Sequence, residues 1–278
     1  MAFTTLISPA ELRQLMASSA DPLILDCRFD LADTDAGERA YAAGHIPGAF
    51  YLHLDRDLAG PKVDADGVFR GRHPLPERDA FAALLRRLGL RAGRQVVCCD
   101  TQGGPYAARC WWMLRWLGHA EVAVLDGAWD GELTTDAPAA TPSDWQLGTP
   151  RVGHVDAAQL QRQLGNVRLI DARAPERFRG EVEPLDNAAG HIPGASNRLF
   201  KDNLGADGRF KPAAQLRAEF QVLLAPHEAA TVVHQCGSGV TACHNLLAMS
   251  HAGLGDGLLY PGSWSEWSAD PARPLAKG

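Results

Sequence analysis

The sequence has few cysteines, no excess of basic residues and no long apolar run, and each absence excludes a class of protein. Only six of the 278 residues are cysteine, without the regular spacing of a disulfide framework, so we expect reduced thiols and a cytoplasmic protein. The net charge of −6 argues against nucleic acid or a membrane surface as a partner. No stretch reaches the roughly 18 apolar residues that span a bilayer, and the N-terminus lacks the basic start of a secretory signal.

What the sequence does contain is a repeat. With 46% hydrophobic and 22% charged residues, the composition is typical of a soluble globular protein, and the length allows two domains. The motif GHIPGA occurs twice, at 44–49 and at 190–195. The motifs around it recur in the same order, which predicts two copies of one fold. We expect domains at 1–135 and 151–278, joined by an extended linker at 136–150 that is rich in Pro, Ala, Ser and Thr.

The strands and helices of each copy predict an α/β fold. Short strands that are apolar throughout alternate with helical segments, a pattern typical of a mostly parallel sheet with helices on both faces. In such sheets the ligand crevice lies beyond the carboxyl ends of the strands. Functional residues are therefore expected in the loops that follow the strands.

The candidate nucleophile lies in one of these loops. The β-branched run 231–233 predicts a buried strand, which is followed by the loop CGSGVT from Cys236 to Thr241 and then by a helix. Glycines at 237 and 239 allow consecutive N–H groups to point inward, and the helix N-terminus adds partial positive charge. Both features stabilise a thiolate over a thiol, so we interpret Cys236 as a nucleophile. Cys243, on the helix, is interpreted as a core residue, with a resolving thiol as the alternative.

The corresponding loop of the first copy differs at one decisive position. Alignment of Val96-Val97 with Val232-Val233 places Asp100 opposite Cys236. The first domain is therefore expected to be catalytically inactive and to act as a scaffold.

Arginines are concentrated directly after a strand of the second copy. Arginine suits bidentate capture of a carboxylate or sulfonate. Arg177 has no counterpart in the first copy, which favours a substrate anchor, whereas Arg173 is matched by Arg28 and is interpreted as a structural ion-pair partner. Arg179 and Arg198 are weaker candidates for substrate binding.

A hydroxyl and a histidine complete the candidate site. Ser238 is expected to donate to the sulfur or to a departing oxygen, with hydrogen bonding inside its own loop as the alternative. His45 and His191 occupy equivalent turns, and His191 is interpreted as structural. His45 is expected to relay a proton to Ser238 with an acidic partner such as Asp35.

These motifs together resemble the tandem rhodanese family. The resemblance rests on the paired GHIPGA turns, the segment DARAPERFRGEVEP, the loop CGSGVTA and the closing GSWSEW, and it covers essentially the whole chain. It implies two rhodanese domains, an inactive first domain, a persulfide on Cys236 and substrate binding by Arg177. The backbone N–H groups of the loop are expected to stabilise the negative charge of the persulfide. They are those of Gly237, Ser238, Gly239, Val240 and Thr241.

The resemblance also implies a donor. A CGSGVT loop is associated with 3-mercaptopyruvate rather than thiosulfate, and with a serine–histidine–aspartate relay to which Ser238 and His45 correspond, with Asp35 or Asp33 as the acid. The chain departs from the pattern after Glu183-Pro184, where a second arginine is often found and Leu185-Asp186 stand instead. Arg179 or Arg198 would have to compensate.

We therefore expect a sulfurtransferase that moves sulfur from 3-mercaptopyruvate or thiosulfate to a thiol or cyanide. The thiol belongs either to a thioredoxin-like protein or to a small molecule, and no metal or organic cofactor is required. One alternative is a sulfur-carrying or redox-binding module without efficient turnover of small donors. Another is a cysteine-dependent phosphatase or arsenate reductase, which the absence of arginine at 240–242 disfavours.

Overall fold

The computed structural model describes residues 2–278, which divide into two compact units. The first unit comprises the chain up to Gly60 and Pro76–Arg151, and the second comprises Pro61–Leu75 and Val152–Gly278. Pro61–Leu75 therefore lies within the first unit's stretch of sequence but belongs structurally to the second.

Each unit is built on a five-stranded sheet in which every paired strand is parallel. The strands of the first unit are β1 (Leu6–Ile7), β2 (Leu23–Asp26), β3 (Phe50–Tyr51), β4 (Val96–Cys99) and β5 (Val122–Leu125). Those of the second are β6 (Gly153–His154), β7 (Leu169–Asp171), β8 (Ala195–Asn197), β9 (Val233–Gln235) and β10 (Leu258–Leu259). The orders β1-β5-β4-β2-β3 and β6-β10-β9-β7-β8 are equivalent, which confirms two copies of one α/β fold.

Helices cover the sheets of both units. The helices of the first unit are α1 (Pro9–Met16), α2 (Ala36–Ala43), α3 (Leu54–Asp57), α4 (Arg78–Arg87) and α5 (Pro105–Trp116). Those of the second are α6 (Ala157–Gln163), α7 (Pro175–Phe178), α8 (Ala213–Leu224), α9 (Thr241–His251) and α10 (Ser263–Trp267). Capping boxes at Ser8/Glu11 and Asp156/Gln159 begin α1 and α6.

The central strands are buried because both of their faces are covered. All four residues of β2, β4 and β5 are buried, as are all three residues of β7 and β9. A parallel sheet of this kind buries apolar side chains on both sides, which is why its strands are apolar throughout rather than alternating. Sequence reasoning recognised these strands for that reason.

The segment Pro61–Leu75 is fixed to the second unit by close backbone contacts. A Cβ on Gly71, whose φ is 101°, would lie 2.7 Å from the carbonyl oxygen of Gly262. The N–H of the next residue, Arg72, donates to Ser265 Oγ at 3.0 Å. Glycine is required where two backbones approach this closely, so the side chains of Arg72 and His73 have a defined position in the second unit.

The residues that sequence analysis assigned to a linker pack on the first unit. Trp145 is buried beside His119, and its carbonyl oxygen accepts a hydrogen bond from Arg86 Nε at 2.6 Å. The Ser143 N–H also donates, to the carbonyl oxygen of Arg86, at 3.0 Å. Part of this stretch is therefore docked rather than freely extended.

Candidate active site

Cys236 follows the central strand of the second sheet. It is only 1% exposed and comes directly after β9, whose last residue, Gln235, is in register with Asp171 of β7. The Cys236 N–H donates to Ser263 Oγ at 3.1 Å, and its carbonyl oxygen accepts from the Trp264 N–H at 3.0 Å. The cysteine backbone is thus fixed on both sides by the turn that leads into α10.

The two glycines of the loop have different roles. Gly239 has a φ of 75°, and a Cβ at this position would overlap the carbonyl oxygen of Pro261, so the turn itself requires glycine. Gly237 does not adopt a left-handed conformation. A Cβ on Gly237 would lie 2.9 Å from Arg72 Nη2, so the absence of a side chain makes room for this guanidinium group, and Arg177 Nη1 would lie in ordinary contact at 3.5 Å.

The loop ends at the start of α9. The helix begins at Thr241, and its N-cap is Val240, which makes no side-chain capping bond. Cys243 is fully buried in the first turn of this helix, as expected for a core residue, and its Sγ donates to the carbonyl oxygen of Gly239 at 3.4 Å.

The equivalent loop of the first unit contains its own anion. Asp100 precedes α5 by five residues, as Cys236 precedes α9. Its carboxylate accepts four backbone hydrogen bonds of 2.8–3.0 Å, from the N–H groups of Gln102, Gly104, Tyr106 and Ala107. A loop of this length between strand and helix therefore forms a nest of N–H groups that surrounds a negatively charged side chain.

Ser238 has a histidine partner, but it is His73. The His73 Nδ1 lies 2.8 Å from Ser238 Oγ, and both residues are at least nine-tenths buried. His73 belongs to Pro61–Leu75 and was not recognised in the sequence. A signal was available in the spacing of the two copies. Phe69 and Phe210 form equivalent antiparallel bridges, but α4 begins nine residues after Phe69, whereas its counterpart α8 begins three residues after Phe210. The first copy therefore carries additional residues, and they include Arg72 and His73.

His45 does not have the geometry of the expected relay. Its ring nitrogens face the carbonyl oxygens of Tyr41 at 2.9 Å and Asp136 at 3.1 Å, and its ring stacks on that of Tyr41. His191 makes the matching contacts, with Nδ1 2.8 Å from the Phe178 carbonyl oxygen and its ring stacked on Phe178. The structural role predicted for His191 is confirmed, and His45 has the same role.

The acidic partners expected for His45 are also placed elsewhere. Asp35 is exposed at the start of α2 and does not cap that helix with its side chain. Asp33 forms an ion pair with Arg39 at 2.5 Å. Both hydrogen bonds of the His45 ring go to backbone carbonyl groups, so neither carboxylate orients it.

The Asp-x-Arg motif has the structural role that its repetition indicated. Arg173 binds the carboxylate of Asp171 through Nε and Nη2, and its Nη2 also donates to the Gly190 carbonyl oxygen at 2.7 Å. Arg28 makes the equivalent contacts with Asp26 and with the Gly44 carbonyl oxygen. In each unit this pair ties a strand end to the turn that contains the histidine.

Arg177 and Arg72 are the two arginines at the Cys236 loop. Arg177 Nη2 binds Glu183 Oε1 at 2.6 Å and Asp186 Oδ2 at 3.2 Å. Arg72 Nη1 binds the other oxygen of Asp186. Arg177, the expected substrate anchor, therefore lies beside Gly237, and so does Arg72, which sequence reasoning missed.

The other candidate arginines point to different partners. Arg179 is exposed and forms an ion pair with Glu181 at 2.7 Å. Arg198 binds Asn203 Oδ1 and Glu219 and lies over the ring of Phe220. The three atoms nearest to the Cβ position of Gly237 belong to Arg72 and Arg177, so the structure gives no support to compensation by Arg179 or Arg198.

The residue two positions before Cys236 is a buried base. Desolvation, together with the charge of Arg198, lowers the pKa of His234 to about 3. Its Nε2 lies 3.0 Å from the sulfur of Met249, and its Nδ1 has no hydrogen-bond partner among residues 2–278. This histidine is therefore a neutral part of the core rather than a proton donor.

No group of three or more His, Cys, Asp or Glu side chains among residues 2–278 is arranged to hold a metal ion. In the same residues, no helix has the length and apolar character needed to cross a membrane.

Comparison with known proteins agrees with this geometry. Residues 8–132 and 156–270 each match the model of the rhodanese-like domain. The chain is 50% identical to a probable 3-mercaptopyruvate sulfurtransferase of Pseudomonas aeruginosa, with 96% of each chain covered. It is 40% identical to a putative thiosulfate sulfurtransferase of Mycobacterium tuberculosis, which covers 98% of this chain and 97% of the relative.

A solved structure shows the same fold. The 3-mercaptopyruvate sulfurtransferase from Leishmania major superimposes with a TM-score of 0.81 at 29% identity, over 96% of this chain and 74% of that one. With the equivalent sheets, the paired motifs and the two matched regions, this chain belongs to the family of proteins built from rhodanese-like domains.

Proposed function

We propose that the protein is a sulfurtransferase in which Cys236 carries the transferred sulfur as a persulfide. The observation that carries this proposal is the position of Cys236, on a loop between strand and helix with two guanidinium groups beside the adjacent Gly237. Guanidinium groups at this position attract an anionic donor toward Cys236. The names of the relatives support the same chemistry.

In the first step the Cys236 thiolate attacks the sulfur atom of 3-mercaptopyruvate. An S–S bond forms and the C–S bond of the donor breaks, so the sulfur and its hydrogen remain on the enzyme as a persulfide. The bonding electrons leave with carbon as the enolate of pyruvate, which takes one proton to become pyruvate. Arg177 binds the donor carboxylate, since a guanidinium matches a carboxylate in charge and shape.

The pair of Ser238 and His73 supplies that proton. Their 2.8 Å contact lets the hydroxyl pass on a proton and regain one from the imidazole. This pair favours 3-mercaptopyruvate over thiosulfate as the donor, because the sulfite that leaves thiosulfate requires no protonation.

The outer sulfur of the persulfide then loses its hydrogen as a proton to solvent, and the resulting negative charge is stabilised by the backbone of the Cys236 loop. Asp100 supports this assignment, because a loop of equal length in the first unit places four N–H groups around a carboxylate. The amides between Gly237 and Thr241 act in the same way on sulfur, as preformed dipoles that need no reorganisation during the reaction. An aspartate cannot accept sulfane sulfur, so the first unit is catalytically inactive.

In the second step an acceptor attacks the outer sulfur. A thiolate becomes a persulfide, or cyanide becomes thiocyanate, and the Cys236 thiolate is regenerated. The acceptor is a small thiol, the thiol of a thioredoxin-like protein or cyanide. The reaction requires no metal or cofactor, and the six free cysteines of residues 2–278 support a cytoplasmic location.

The proposal is tested by intact mass after incubation with 3-mercaptopyruvate. Wild type should gain one sulfur atom and Cys236→Ser should gain none. Cys99→Ala is the matched control, because Cys99 ends the equivalent strand of the first unit, and it should gain sulfur like wild type. Sulfur gain by Cys236→Ser would overturn the assignment.

A further inference from the structure

Two guanidinium groups, from distant parts of the sequence, lie beside the residue that follows Cys236. The Cβ position of Gly237 is 2.9 Å from Arg72 Nη2, and the nearest atom of Arg177 is at 3.5 Å. Arg72 comes from Pro61–Leu75 and Arg177 from α7, and both belong to the second unit. Two like charges approach in this way only if something holds them.

A shared carboxylate holds them. One oxygen of Asp186 binds Arg72 Nη1 and the other lies 3.2 Å from Arg177 Nη2, while Glu183 Oε1 binds the same Nη2 at 2.6 Å. The Asp186 and Glu183 side chains are only 4% and 3% exposed. Buried carboxylates with fixed partners orient a guanidinium strongly, because moving either partner would leave an unpaired charge out of water.

Donor groups remain for a ligand. The ion pair of Arg72 uses Nη1, which leaves Nη2 pointing toward the Cys236 loop. The hydrogen bonds of Arg177 to Glu183 and Asp186 both use Nη2, and its Nη1 lies nearer to the Cβ position of Gly237, at 3.5 Å. The Arg72 and Arg177 side chains are 20% and 17% exposed, so they are partly accessible to a small anion.

We infer that Arg72 is a substrate-binding residue, and that it binds the carboxylate of an α-keto acid donor together with Arg177. This inference rests on the proposed function. Two guanidinium groups held by one carboxylate can each donate an N–H to an oxygen of the donor carboxylate, so that the donor is held at two points rather than one. Asp186, which stands where a guanidinium was expected, orients this second arginine.

The test separates donor binding from structural support. Arg72→Gln and Arg72→Lys are compared with wild type in two single-turnover reactions, namely loading of Cys236 by subsaturating 3-mercaptopyruvate and unloading of the persulfide to 2-mercaptoethanol, an uncharged thiol. The matched control is Arg70→Gln, on the same segment, whose guanidinium binds Asp64 and approaches Glu266. Loading should slow about 10- to 100-fold in Arg72→Gln, the usual effect of losing a hydrogen bond to a charged group.

Each outcome decides the inference. Slower loading with unchanged unloading, a partial recovery in Arg72→Lys and normal rates in Arg70→Gln would support it. Unchanged loading, or an equal decrease in both reactions in both Arg72 variants, would overturn it, since the latter indicates only a structural ion pair. If wild type itself is not loaded by 3-mercaptopyruvate, the proposed donor is wrong and the inference fails with it.

Discussion

The hydroxyl of Ser263 accepts a hydrogen bond from the Cys236 N–H at 3.1 Å while Ser263 itself adopts a left-handed conformation with a φ of 53°. The same hydroxyl donates to the Tyr260 carbonyl oxygen at 2.9 Å. A left-handed conformation costs a residue other than glycine about 1–2 kcal/mol. The side chain therefore serves a purpose that glycine could not, which is to hold the backbone of the nucleophile.

Replacement of Ser263 by alanine should weaken both the fold and the reaction. The substitution leaves the buried Cys236 N–H without an acceptor, at a cost of about 1–3 kcal/mol in the free energy of unfolding. We expect kcat/KM for 3-mercaptopyruvate to fall about tenfold, as the loop loses a fixed position. Urea denaturation and steady-state kinetics measure the two effects.

Ser263→Gly is the control for backbone strain. It also removes the hydroxyl but relieves the left-handed conformation, so it should be about 1 kcal/mol more stable than Ser263→Ala and equally impaired in activity. Full activity in Ser263→Gly would show that the hydrogen bond to Cys236 is unimportant.

Replacement of Gly239 by alanine should disrupt the Cys236 loop. The new Cβ would overlap the Pro261 carbonyl oxygen in a conformation with a φ of 75°. We expect a loss of about 3 kcal/mol in the free energy of unfolding, from strain and overpacking together. Gly194→Ala is a matched control, because its φ is 81° and its Cβ would have no neighbour within 4 Å. A loss as small as the control's, about 1 kcal/mol, would contradict the expected overlap.

Loss of the Ser238–His73 pair should affect the two donors unequally. In Ser238→Ala or His73→Asn, kcat with 3-mercaptopyruvate should fall about 100-fold, since general acid catalysis typically contributes 10²–10⁴. The kcat with thiosulfate should change little, because sulfite leaves without a proton. Steady-state kinetics with both donors on one preparation gives the ratio of kcat with 3-mercaptopyruvate to kcat with thiosulfate.

His45→Gln tests the relay that the sequence suggested. His45 bonds to backbone carbonyl groups of the first unit, so its replacement should leave the ratio of the kcat values for the two donors as in wild type. A selective loss of 3-mercaptopyruvate turnover in this variant would restore His45 to the mechanism.

His234 should make the fold sensitive to acid. Burial lowers its pKa from 6.5 to about 3, so below pH 6.5 the unfolded chain binds a proton that the folded chain does not. The contribution of neutral His234 to the free energy of unfolding is therefore present above pH 6.5. It is lost as the pH falls toward 3, by up to about 1.4 kcal/mol per pH unit. Denaturation of wild type and His234→Leu between pH 7 and pH 4 should show a shallower slope for the variant, and equal slopes would refute the assignment.

Much of the fold and part of the site could be predicted because the repeated motifs are local. The strands are recognised by their apolar runs, Cys236 by the strand, glycines and helix around it, and the structural role of Arg173 by its repetition as Arg28. The repetition also indicated a structural role for His45, since the turn that appears in both copies makes the same contacts in both. The error came from giving one copy a role that the other lacks.

Arg72 and His73 could not be predicted from local pattern. Their positions depend on Pro61–Leu75 belonging to the second unit, and this is fixed by long-range contacts such as that of Gly71 with Gly262. Hydrophobic periodicity describes neighbours along the chain and does not report which distant residues a loop will meet.

The membership of Pro61–Leu75 has a consequence for dividing the protein. A gene cut at the linker would not separate a working half from an inert one, because the C-terminal fragment would leave two of its own side chains, Arg72 and His73, on the other piece. A minimal single-domain version would need the fifteen-residue insert Pro61–Leu75 grafted onto it.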